Sequence, residues 1–246
     1  MMSSKRRLQE LANTLHQSAT KDDITKAAKA VDKEVSHTDE KLHDEEIRTG
    51  IAEQLFFKLA TIMDTFETPG AEEVICIICH ALLYVHECSL EMKSSSHDDI
   101  GVTLLEKVIE RCRNGNLIHG SHNILCYAVL ALLNLSQAPS VQIKMVKKPG
   151  FMELLINVVM TEPSLSIRAA AIEIIANLSL AIDAFSLSTN KANFVDLLML
   201  CNLFVKTAAD ESDNVREASA RGLLNLSPYF EMEMSLSHST ELLEVL

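Results

Sequence analysis

Ala128–Ser136 reads AVLALLNLS, Ala171–Ser179 reads AIEIIANLS, and Ser219–Ser227 reads SARGLLNLS. A fourth stretch, Cys79–Glu87 (CHALLYVHE), fits the same frame with Tyr84 where the others carry Asn134, Asn177 and Asn225. Taking that column as position zero, the four marks stand 50, 43 and 48 residues apart. Self-similarity at such a period is the signature of a stacked repeat, and it decides the architecture before any single element is assigned. Ten residues before the mark stand Val74, Ile124, Ile167 and Val215; three before it Ala81, Ala131, Ile174 and Gly222; one after it Val85, Leu135, Leu178 and Leu226. Positions −10, −3 and +1 share one stripe of a helix, so this stripe is expected to face the core.

A second set of segments precedes these closing helices. GFMELLINVVM (Gly150–Met160) matches NFVDLLMLCNL (Asn193–Leu203) column by column, and looser copies begin at Gly50 and Gly101. Each unit therefore reads as a helix opened by Gly or Asn, a loop, and a helix closing on the Asn-Leu-Ser word. Start signals lie where the second helix should begin: Glu72 and Glu73 after Thr68-Pro69, Ser121, Pro163-Ser164, and Asp213. Val141–Lys148 predicts a short extra helix ahead of Pro149-Gly150.

Composition agrees with an all-α chain. Of 246 residues 48% are apolar, enough for a substantial core, while 4% aromatic residues, 7 Gly and 5 Pro are too few for a turn-rich β-protein. The first 49 residues are charged. There Ile24, Ala28, Val31, Val35, Thr38 and Leu42 alternate spacings of four and three, a weak stripe whose Ala and Thr predict a mobile or loosely docked helix. The expected organisation is an N-terminal segment 1–49, a repeat domain 50–230 with units near 50–91, 101–136, 141–182 and 192–228, and a C-terminal tail or partial cap 231–246.

The repeat, best seen in KMVKKPGFMELLINVVM followed by SIRAAAIEIIANLSL, closely resembles the armadillo family over Gly50–Ser227. The resemblance implies a right-handed superhelical α-solenoid of about four repeats, with the closing helices lining a concave groove. HEAT-type repeats are the alternative, and the shared Asn-Leu word speaks against them. In the armadillo family the Asn at position zero can hydrogen-bond the backbone of an extended peptide, an amide having both donor and acceptor. Carried over, this gives Asn134, Asn177 and Asn225, with Tyr84 a departure. One turn earlier, at −4, His80, Leu130, Glu173 and Arg221 share that face. Nuclear-import receptors of the family carry Trp there, and this chain has no Trp. The competing reading of the Asn column is that it braces turns between repeats.

Net charge is −12, and residues 161–246 alone carry 5 basic and 12 acidic side chains. That field repels phosphate backbones, so nucleic acid is not the expected partner. The expectation is a scaffold that binds another protein, with a basic segment preferred near the C-terminal repeats. A regulatory or structural subunit acting by homo-oligomerisation is the alternative, and the apolar Leu242, Leu243, Val245 and Leu246 make self-association through the C-terminal end a further reading.

Other motifs carry less. Cys76-Ile-Ile-Cys79-His80 matches the c-type haem attachment pattern and, with His86 and Cys88, could be read as a metal site. Both Cys lie in a core helix, and one helix cannot readily wrap a tetrahedral ligand set, so buried thiols are expected and no metal or cofactor is assigned. His119-Gly120-Ser121-His122 reads as a solvated turn. No phosphate loop, nucleophile elbow or carboxylate pair stands in the sequence, so no enzyme is expected. Scattered Cys in apolar runs, an opening MMSSKRRLQELANTL without an apolar signal core, and apolar runs shorter than a membrane span predict the cytoplasm, with the nucleus as a further location.

Overall fold

The computed structural model describes the backbone of residues 20–36, 45–64, 71–86, 96–114, 121–182 and 192–244, with seven positions between 7 and 18. Side chains are described over most of these, from 197 to 229 at the C-terminal side. The helices in order are α1 Lys21–Ser36, α2 Glu45–Asp64, α3 Ala71–His86, α4 Ser96–Arg113, α5 Ser121–Leu135, α6 Pro139–Lys147, α7 Phe151–Thr161, α8 Leu165–Ser179, α9 Ala192–Thr207 and α10 Asp213–Glu244. No strand occurs among the described residues. The chain divides into two compact units, residues 1–144 and 145–246, with the boundary inside α6.

Local chemistry sets the helix starts. Thr20 accepts the Asp23 amide at 3.2 Å while its hydroxyl reaches the Asp23 carboxylate at 2.6 Å, a reciprocal cap on α1. Glu72 and Glu73 sit in the first turn of α3 at the positive end of its dipole. Gly150 precedes α7 with φ 78°, a left-handed conformation that glycine adopts without a Cβ clash. The expected short helix appears as α6.

The other expected openers differ. Gly50 and Gly101 lie inside α2 and α4, each helix starting five residues earlier. The second of them has a packing reason. A Cβ on Gly101 would come within 2.5 Å of the Phe56 ring, so glycine lets α4 approach α2. Gly222 in α10 does the same for Phe204 of α9, where a Cβ would sit 2.3 Å from the ring.

In unit 1, α2 packs on α3 and α4 on α5; α3 packs on α5, and α2 on α4. In unit 2, α7 packs on α8, α9 on α10, and α8 on α10. The stripe read from the sequence is the buried one. Val74, Ala81, Ile124, Ala131, Leu135, Ile167, Ile174, Leu178, Val215 and Leu226 are all 3% exposed or less, while the side chain of Val85 lies outside the described residues.

The N-terminal helix departs from expectation. Instead of docking loosely, α1 packs against α3 with Ile24, Ala28, Val31 and Val35 buried; Thr38 and Leu42 lie outside the described residues. Ile24, Val31 and Val35 occupy the −10, −3 and +1 columns of a unit whose zero position is Glu34, 50 residues before Tyr84. Thus α1 is a closing helix in register with the others. Buried Lys58 of α2 donates to the Ser18 carbonyl at 2.6 Å, and Arg7 pairs with Glu34 at 3.1 Å, tying Ser18 and Arg7 to the same unit.

At the other end, the backbone from 231 to 244 continues α10 and forms no separate tail. The helix runs through Pro228, which has no amide for the Leu224 carbonyl. The Ser227 hydroxyl donates to that carbonyl at 2.9 Å. Between α9 and α10 a buried polar contact joins Thr207 and Ser219, oxygen to oxygen at 2.7 Å, with the Leu203 carbonyl 2.8 Å from Thr207 and the Val215 carbonyl 2.6 Å from Ser219.

Candidate functional site

Two columns of the repeat frame, −4 and zero, lie beside the buried stripe, and both are described on α5, α8 and α10. In unit 1, His80 (−4) on α3 meets Asp32 of α1, Nδ1 to Oδ1 at 2.6 Å, with both side chains about a quarter exposed (25% and 23%). Its ring stands edge-on to Tyr127 of α5, centroids 4.6 Å apart. Lys29 of α1 pairs with Glu73 of α3 at 2.6 Å. Leu130, at −4 on α5, is half-buried. In unit 2 the −4 residues of neighbouring closing helices pair directly, Arg221 donating to Glu173 at 3.0 Å with both side chains more than a third exposed (45% and 36%).

The zero column is half-buried at Asn134, Asn177 and Asn225. The side chain of Tyr84 lies outside the described residues. Asn225 Nδ2 donates to the Ala176 carbonyl of α8 at 2.8 Å, so this Asn joins one closing helix to the one before it. The acceptor lies within α8 and not in a turn between repeats.

The Ser of the Asn-Leu-Ser word carries a role the sequence reading left unassigned. Ser136 donates to Leu133 O at 2.7 Å, Ser179 to Ala176 O at 2.6 Å and Ser227 to Leu224 O at 2.9 Å. In all three words the hydroxyl at +2 takes the carbonyl at −1, in the last turn of the helix for α5 and α8 and, within α10, at the carbonyl that Pro228 leaves without an amide. A recurring Ser two residues after the Asn was the available signal. Ala176 O thus accepts two side-chain donors, Ser179 and Asn225.

An arginine clamp recurs at −9 in unit 2. Arg168 Nη1 donates to the Glu162 and Pro163 carbonyls at 3.2 and 3.1 Å, and Arg216 Nη1 to the Asp210 and Glu211 carbonyls at 2.8 and 3.1 Å. The offsets, six and five residues back, are identical. Arg168 Nη2 also reaches forward to Asp210 at 3.2 Å and Glu211 at 3.2 Å, binding one inter-helix turn to the next. Partial burial alone would raise the Asp210 carboxyl. The Ser212 amide and the Arg168 guanidinium outweigh it and hold that carboxyl below its ordinary value.

The thiols of Cys76, Cys79 and Cys112 are all held above their ordinary range. Burial, with help from Asp32 and Glu73, pushes the Cys76 thiol up; burial drives fully enclosed Cys79 up further and brings Cys112 to about 12. Such thiols hold their protons, and the thiolate is both the nucleophile and the metal ligand. Among the described residues no three His, Cys, Asp or Glu side chains are placed to hold a metal ion. Cys88, His119 and the side chain of His86 lie outside the described residues, and His122 is exposed on the first turn of α5. No single helix among the described residues is long and apolar enough to cross a membrane; α5 and α6 together pass that test only as a pair bent by 119°.

Comparison with models of known protein families, with curated proteins and with solved structures gives no match. Function is therefore argued from the repeat and its exposed columns.

Proposed function

We propose that the chain is a non-enzymatic protein-binding scaffold, an armadillo-like right-handed α-solenoid of the cytoplasm that docks an extended or helical peptide along its closing helices. The observation that carries this reading is that α5, α8 and α10 each bury the −10, −3 and +1 residues and leave the Asn at zero half-buried. Repeat proteins that bury one stripe by stacking leave a second face free for recognition. The −4 and zero columns hold His80, Leu130 and Asn134 in unit 1 and Glu173, Asn177 and Arg221 in unit 2, so each unit by itself has amide groups of both hydrogen-bond signs and polar or charged side chains.

A basic segment is the preferred ligand of the C-terminal closing helices, where its cation competes with Arg221 for Glu173. Affinity capture with the wild type and with the Asn134→Ala, Asn177→Ala, Asn225→Ala triple variant tests the reading. Loss of a captured partner at unchanged helicity, with a melting temperature no lower than that of Asn225→Ala alone, supports it. A triple variant that keeps its partner, or capture indifferent to salt and to peptide charge, refutes it.

A further inference from the structure

The joint between α8 and α10 is made at three positions of the repeat frame. At −9, Arg168 takes the acidic turn Asp210-Glu211 that precedes α10. At −4, Glu173 takes Arg221. At −1, the Ala176 carbonyl takes the Asn225 amide, and Ala176 and Ile172 at −5 are fully buried. The same columns recur on α10. Arg216 at −9 holds its own turn as Arg168 does, but its Nη2 falls back on Asp213 of the same helix, and its side chain is 43% exposed. Ala220 at −5 is exposed, and Leu224 at −1 is 70% exposed, above every other large apolar residue described.

We infer that this outward face of α10 is a docking surface for a helix of another protein that is preceded by an acidic Asp-Glu turn and carries a side-chain amide about fifteen residues further on. Arg216 selects the acidic turn, as Arg168 selects Asp210-Glu211. Leu224 and Ala220 supply the apolar seat. Charge complementarity fixes the register, because only a turn placed opposite −9 brings the incoming helix over −5 and −1. The inference rests on the α8–α10 joint and stands apart from the peptide-binding columns.

The test uses the full chain and one defined probe, a fluorescent, side-chain-stapled synthetic helix copying residues 208–227 with its Asp210-Glu211 turn. Fluorescence anisotropy should give saturable binding to the wild type. Binding should weaken by roughly tenfold or more with Arg216→Glu, and likewise with a Leu224→Arg variant, since loss of a charge-assisted bond or a buried anchor is worth about 1.4 kcal/mol or more. A probe with both acids changed to Lys should regain affinity for the Arg216→Glu chain. The Asn134→Ala, Asn177→Ala pair should leave the titration unchanged, separating this surface from the proposed groove. Leu224 is exposed, so its variant reports binding even if Arg216→Glu loosens the turn. No saturable binding, or binding lost with Arg168→Glu but kept with both α10 variants, overturns the inference, the latter because the probe would then be displacing α10 from α8. Dimerisation of the chain in sedimentation velocity, abolished by Leu224→Arg, overturns the assignment to another protein in favour of a second copy.

Discussion

Gly222→Ala and Gly50→Ala are the same chemical change and should move stability in opposite directions. Both glycines lie inside helices, where alanine is favoured by about 1 kcal/mol. At Gly50 an added Cβ meets nothing within 4 Å, so the helical gain survives and Gly50→Ala should stabilise by about 0.5–1 kcal/mol. At Gly222 the Cβ would lie 2.3, 2.4 and 2.6 Å from three atoms of the Phe204 ring, each well inside the 3.4 Å at which ordinary contact begins. Phe204 is fully buried, so the ring can retreat only by opening the α9–α10 packing. Overpacking of this kind costs about 1–3 kcal/mol, which cancels or exceeds the helical gain. The expected result is a net loss of up to about 2 kcal/mol, or several degrees in melting temperature. Urea melts followed by circular dichroism would read it, with Gly222→Ala, Phe204→Leu as the relief variant. If Gly222→Ala stabilises as much as Gly50→Ala, the close approach of α9 and α10 is wrong.

Other consequences follow from the same contacts. Asn225→Ala removes the bond to Ala176 O and should cost about 1 kcal/mol, with Ser179→Ala costing a similar amount because both serve one carbonyl; a cost within error of zero for both would remove the bracing role. The Asp210 carboxyl titrates below its ordinary value in the folded chain, so its contribution is complete above the unfolded value near 3.9 and fades as pH falls through the folded one. Asp210→Asn should therefore be less stable than wild type at pH 7, with the gap closing under acid; a gap that widens on acidification contradicts the Arg168 pairing. Native protein at pH 8 should alkylate Cys76, Cys79 and Cys112 far more slowly than the urea-unfolded chain, and elemental analysis should find less than about one-tenth equivalent of zinc or iron; rapid native labelling or stoichiometric metal would reopen the thiol cluster.

The buried stripe was legible because −10, −3 and +1 recur at fixed offsets from a visible word. The helix starts at Gly50 and Gly101 were not, because a glycine that opens a helix and one that admits a phenylalanine ring look alike in one dimension. Helix α1 was hidden by its charged outer surface and by Glu34 in place of Asn, although Ile24, Val31 and Val35 carry the frame. The site was legible as a set of columns and opaque as a set of partners. Pairings such as Arg168 with Asp210, or His80 with Asp32, join residues 42 and 48 positions apart, and only the stacking of helices chooses among the available charges.

Thr207 and Ser219 have two hydroxyl protons between them and three short oxygen contacts to fill. If Thr207 donates to Leu203 O, Ser219 can answer Thr207 or Val215 O but not both; the reverse order is equally well formed. Changing either member removes the link between the two side chains but leaves no unmet donor, because the remaining hydroxyl can still donate to its own backbone carbonyl, Thr207 to Leu203 O or Ser219 to Val215 O. Each position therefore tolerates a change to an apolar residue of similar shape independently of the other, and what is lost is the side-chain link between α9 and α10. In any lineage of this repeat either position can therefore change first, the contact surviving as a removable tie between α9 and α10.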